Sequence, residues 1–164
     1  ALDFYKKSLA IRKQHLPSNH PDIAGSHNNI GGVYYHLNKY DLAMEHFQQS
    51  LQIWLKSLPG DHPNIAMSHN NIGLVYYNLN KYDLAMEHHQ QSLKIRLKSL
   101  PGDHCDIAMS YRNIALIHEQ KREWKQALEL LEKALNIRQR AFSSQHPDVL
   151  QVKADIQRVS VNLK

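Results

Sequence analysis

Apolar residues recur along the chain every three to four positions, in stretches divided by short polar turns, which is the spacing of amphipathic helices. Ile23, Ile30, Val33, Tyr34 and Leu37 form one stripe; Leu42, Ala43, His46, Phe47, Ser50, Leu51 and Trp54 form the next. Asn38-Lys39 makes the turn between them. In Leu58-Pro59-Gly60-Asp61-His62-Pro63 the Pro-Gly pair stops one helix, and Pro63 suits the first turn of the following one, where no N–H is needed. Asp22, Asn64, Asp106 and Asp148 fall just after such junctions, at the positive end of the helix dipole. The pattern predicts eight helices, near 1–16, 21–37, 40–57, 63–79, 82–99, 105–121, 124–142 and 147–163.

The stripes repeat because the sequence does. Residues 26–61 and 68–103 align without a gap at an offset of 42, and only Gly32/Leu74, His36/Asn78, Phe47/His89, Gln52/Lys94 and Trp54/Arg96 differ. The same offset reaches forward to Asn113-Ile114-Ala115, Ala127 and His146-Pro147-Asp148, and back to Ser8-Leu9, Leu16-Pro17 and His20-Pro21. A fixed period of this length marks a stack of similar units that share one continuous core. Small residues recur too: Gly31, Gly73 and Ala115 are expected to face Ala43, Ala85 and Ala127, so that paired helices approach closely.

The run Asn-Asn-Ile-Gly-x-Val-Tyr-Tyr-x-Leu-x-Lys-Tyr-x-x-Ala resembles the tetratricopeptide repeat. The long unit, with Ile-Arg-x-x-x-Leu-Pro-x-x-His-Pro-Asp-Ile-Ala at its junction, is similar to the 42-residue variety of kinesin light chains. The resemblance covers essentially the whole chain and implies an all-α fold, a right-handed α-solenoid of stacked antiparallel helix hairpins. Residues 1–164 then form one array: a half unit at 1–20, complete units at 21–62, 63–104 and 105–145, and a capping helix at 146–164. The final helix carries Gln157 where Gly31 sits, Asp155 for Asn29 and Arg158 for Gly32, and is expected to be a solvating cap that ends the array. The near-identity of two units and the half unit at the start point to part of a longer protein.

Composition then excludes several functions. No uncharged stretch is continuous enough to span a membrane, and Cys105, the one cysteine, excludes an internal disulfide or a multi-cysteine zinc site. The default compartment is the reducing cytoplasm. The formal charge of +5 raises nucleic acid as a partner. Yet residues 23–38 and 65–80 hold no Asp, Glu, Lys or Arg, and elsewhere basic residues alternate with acids, so no continuous basic stripe is expected. Of the 12 histidines, His20, His62, His104 and His146 recur at every junction, as helix-capping residues would. His88-His89 cannot chelate one ion from one helix face, since adjacent residues diverge by roughly 100°. His89 replaces Phe47 and is expected to pack in the core. Neither a phosphate loop nor a nucleophile elbow is present, so no catalytic residue, cofactor or metal is expected.

In repeats of this family the first helices line a concave groove that holds extended peptides. Matched to this sequence, the groove residues are Asn28, Asn29, Tyr35 and His36, then Asn70, Asn71, Tyr77 and Asn78, then Arg112 and Asn113. Side-chain amides both donate and accept, so they can pair with a peptide backbone. Alternatively, Asn29, Asn71 and Asn113 tie neighbouring helices together. Kinesin light chains that bind tryptophan-acidic peptides use basic groove residues beside the asparagines; here Tyr35, Tyr77 and Glu119 sit where an arginine would help and only Arg112 is cationic, so a neutral or mixed ligand is expected. The expected function is non-catalytic protein interaction; the alternative is a spacer or self-assembly array attached to a separate catalytic domain. The terminal half units also leave open a weak head-to-tail contact, joining an apolar stripe of Leu2, Tyr5, Leu9 and Leu16 to one around Val152, Ile156 and Val159; Gln157 opposes it, since it would face Ala1 where a glycine belongs.

Overall fold

A computed structural model describes residues 2–163. Its helices are α1 (Leu2–His15), α2 (Pro21–His36), α3 (Tyr40–Ser57), α4 (Pro63–Asn78), α5 (Tyr82–Ser99), α6 (Cys105–Gln120), α7 (Trp124–Ala141) and α8 (Pro147–Ser160). The chain then tightens into a 3-10 turn at Val161–Leu163 instead of continuing α8. No strand occurs among the described residues. Helices α2/α3, α4/α5 and α6/α7 pack as hairpins, and each second helix rests on the next first helix, giving an α-solenoid.

The helix ends follow from local chemistry. At each junction the histidine Nδ1 accepts the backbone N–H two residues on: His20 from Asp22, His62 from Asn64 and His104 from Asp106 at 3.1 Å, and His146 from Asp148 at 3.2 Å. An otherwise orphaned first-turn donor is thereby satisfied in every unit. Inside the hairpins, Asn38, Asn80 and Arg122 take left-handed backbone with φ of 56°, 57° and 60°. The N–H of Lys39 then reaches Tyr34 O at 2.9 Å and that of Asn38 reaches Tyr35 O at 2.9 Å, closing the helix with paired reverse bonds.

Three packing details differ from the sequence expectation. The nearest atoms to Gly31 and Gly73 belong to the ring at position 47 or 89, beyond the facing alanines that the sequence pointed to. A Cβ on Gly31 would lie 2.7 Å from the Phe47 ring, and one on Gly73 2.8 Å from the His89 ring. In the third unit the pair becomes Ala115 and Leu131, both buried in one cluster. Leu37, placed in the buried stripe, is 54% exposed because it sits in the turn beyond the end of α2. Val152 and Val159 are buried against α7, so the stripe expected to be open on α8 is already covered, and Leu9 is buried as well. The exposed large apolar side chains at the two ends are instead Phe4 and Ile11 on α1 and Leu150, Val161 and Leu163 at the close. Ala1, expected opposite Gln157, lies outside the described residues.

Candidate functional site

The first helices α2, α4, α6 and α8 stand side by side, joined by side chains 43 positions apart. Asn71 Nδ2 donates to Asn28 Oδ1 at 2.9 Å, and Asn113 Nδ2 donates to Asn70 Oδ1 at 2.9 Å. The third rung changes chemistry: Arg112 Nε donates to Asp155 Oδ2 at 2.6 Å, and Asp155 is only 1% exposed. Asp155 is therefore a buried partner and not a solvating surface residue. Arg112, the cation of the expected groove, is held by this carboxylate. Arg158 makes a two-pronged contact with Glu119, at 2.6 and 2.8 Å, which holds its pKa above the usual guanidinium range. Arg158 Nη1 also stands 3.0 Å from Asp155 Oδ1.

A second row runs parallel to the first. Asn78 Nδ2 donates to Tyr35 OH at 2.8 Å, and also to Leu74 O at 2.8 Å within its own helix. Partial burial pushes the phenols of Tyr35 and Tyr77 above their ordinary pKa. Asn29 and His36 are exposed; Asn70 and Asn113 are buried. The predicted residues collect around two hollows on this shared face. Asn28, Asn29, Tyr35, His36 and Asn71 line the first, of about 370 Å³. Tyr35, Tyr77, Asn78, Arg112 and Asn113 line the second, of about 200 Å³. Asn70 takes its place in the rung below. Among the described residues no group of three His, Cys, Asp or Glu side chains could hold a metal ion, and no helix is long and apolar enough to cross a membrane.

Family models described as tetratricopeptide repeat match residues 22–98 and, in a second form, residues 1–22 and 107–148. The chain is a tetratricopeptide-repeat array. Several solved structures share its fold. BtubC (BKLC) from P. vanneervenii is similar with a TM-score of 0.88 at 21% identity, over 98% of this chain and 64% of BtubC. Nearly identical TPR-like repeats from Podosopora anserina, assigned as a kinesin light chain, give 0.80 at 23%, over 99% of this chain and 77% of that one. Aspartyl phosphate phosphatase F from Bacillus subtilis gives 0.83 at 16%, over 98% of this chain and 40% of the phosphatase. At these identities the likeness establishes the fold. The array spans less than two thirds of BtubC and of the phosphatase. No curated protein matches it in sequence.

Elsewhere in the array, two features were only half visible as sequence. His27 Nδ1 meets His46 Nδ1 at 3.0 Å, and His69 meets His88 in the same way. Burial lowers the pKa of His27 and His69 to about 4 and also lowers those of His46 and His88, so the pairs are neutral in the native state. The repetition of His27 at His69 and of His46 at His88 was the available signal; that the two histidines of a unit meet across the hairpin was not.

The other feature is a clamp at positions 12, 54, 96 and 138. Arg12 Nη1 donates to Asp22 O at 2.9 Å and Ser26 Oγ at 2.7 Å; Arg96 Nη1 repeats this with Asp106 O at 2.9 Å and Ser110 Oγ at 2.8 Å. Arg138 bonds Asp148. Trp54 occupies the remaining slot, leaving its own Nε1 and Ser68 Oγ buried without partners.

Proposed function

We propose that the array is a non-catalytic interaction module that holds an extended segment of a partner protein along the face shared by α2, α4 and α6. Tetratricopeptide repeats generally serve as protein-interaction scaffolds, and a fold alone leaves the ligand open, so the face itself must carry the assignment. The observation that supports it is the convergence of amide and phenol side chains around two adjacent hollows in a stretch without free charge. Arg112 and Arg158 are committed to Asp155 and Glu119, so a strongly acidic ligand finds no free cation there. A neutral or mixed segment fits better. Asn29, exposed and outside the rungs, is the amide best placed to meet a peptide backbone, whereas Asn71 and Asn113 serve first as ties between helices. With its cations paired, the face also argues against nucleic acid, which would require a free basic track, and the single cysteine suits the reducing cytoplasm.

The test is selection of displayed random peptides on the array, followed by binding to an Asn29→Ala/His36→Ala variant. Both residues are exposed, so the variant should fold normally. Selected peptides should lose affinity for it. Equal binding to both proteins, or no selected peptide, would overturn the assignment.

A second reading, head-to-tail self-association, is favoured by one observation. Phe4 and Ile11 on α1 are 73% and 59% exposed, and Leu150 and Val161 are exposed at the other end. Such a contact would be heterologous and would propagate.

A further inference from the structure

Gly31 and Gly32 are neighbours in α2 with opposite surroundings. A Cβ at Gly31 would strike the Phe47 ring, while nothing lies within 4 Å of a Cβ at Gly32. Gly32 opens into the larger hollow of about 370 Å³, beside Asn28, Tyr35, Phe47, Asn71 and Leu74. The internal repeat supplies the comparison. One unit on, the equivalent hollow has Leu74 at the Gly32 position and His89 at the Phe47 position, and holds only about 200 Å³. Gly32/Leu74 is one of the few differences between two almost identical units, and it falls on this wall. No Asp, Glu, Lys or Arg lines the larger hollow, whereas Arg112 borders the smaller one. The larger hollow is thus matched in charge to an uncharged side chain. Its apolar surfaces are Val33, Phe47 and Leu74 with the Tyr5 ring beside them, and its rim carries the amides of Asn28, Asn29 and Asn71.

Building on the groove assignment, we propose that the Gly32 hollow is a side-chain subsite. It takes one uncharged apolar residue of the size of Leu or Phe from an extended peptide, whose backbone amides meet the asparagine rim. Gly32 is then the specificity-determining residue. Leu at this position would fill the subsite from within, as Leu74 does next door, without touching a neighbour at Cβ. Leu is also a better helix former than Gly, so the fold should tolerate the change.

The experiment is amide NMR titration of the array with capped Ser-Ser-X-Ser-Ser pentapeptides, where X is Leu, Phe, Ser, Asp or Lys. The Leu and Phe peptides should shift amides around Gly32, Tyr35 and Asn71. They should bind roughly ten- to a hundredfold tighter than the Ser peptide, the scale of burying one large apolar side chain. In Gly32→Leu, whose melting temperature should not fall, that advantage should vanish. If all five peptides bind alike and Gly32→Leu changes nothing, the subsite is overturned while the groove assignment stands. If no peptide shifts an amide on this face, both fail.

Discussion

His89 is the residue whose replacement tests the packing account most sharply. It stands at the position of Phe47, is 1% exposed, lies against Gly73, and its Nδ1 is buried without a hydrogen-bond partner. An unsatisfied buried donor or acceptor costs ~1–3 kcal/mol, so His89→Phe should stabilise the array by about that amount at neutral pH. Lowering the pH should widen the difference. Burial first, then the neighbouring Arg96 and His88, lower the His89 pKa to about 4 from the usual 6.5. Between those values the unfolded chain binds a proton that the native chain refuses. The His89 contribution is therefore intact above pH 6.5 and is lost as pH falls toward 4. At pH 5 the linkage amounts to about 2 kcal/mol on top of the neutral-pH gain. Urea denaturation at pH 7.5 and about pH 5 is the assay, fitted as a sum of repeat and interface terms because arrays need not unfold in one step. His27 and His69 titrate in the same direction in both proteins, so the comparison isolates position 89. A destabilised His89→Phe, with His89→Leu equally destabilised, would refute the reasoning; so would a difference independent of pH.

Asn113→Ala should cost ~1–3 kcal/mol, because it leaves the buried Asn70 Oδ1 unpaired, while Asn29→Ala should change stability by less than about 0.5 kcal/mol; thermal melts of the two variants decide this. Trp54→Arg should restore the clamp through Ser68 and lose less than about 1 kcal/mol, against ~3–5 kcal/mol for Trp54→Ala. Equal losses in urea denaturation would show that position 54 is purely a packing site. For self-association, static light scattering should give a mass that rises with concentration and returns to that of one chain in Phe4→Glu/Ile11→Glu; a constant wild-type mass would end the idea.

Much of this molecule was legible in the sequence, for identifiable reasons. Proline, the capping histidines and the Pro-Gly stops punctuate the chain so strongly that helix bounds follow to within about a turn. The 42-residue period then fixes which helices are equivalent. Neighbour relations were harder. The period equates Asn29 with Asn71, yet the atoms that meet are Asn28 and Asn71, because contact depends on how adjacent helices are rotated about their axes. For the same reason Gly31 was paired in expectation with Ala43 and packs on Phe47. Arg112 looked free because its carboxylate lies on the next first helix, at a position read as solvating. The face that gathers the candidate residues was thus readable, but not which of their polar groups remain available.

The most direct test of the groove is a footprint. A peptide selected on the array, bound to uniformly labelled protein, should perturb amides on the exposed face of α2 and α4, from Asn28 to His36 and from Asn70 to Asn78. The amides of α3 and α5 should stay unmoved except next to Phe47 and His89, whose rings border the two hollows. Perturbations concentrated on α3, α5 and α7, with α2 and α4 unchanged, would contradict the account.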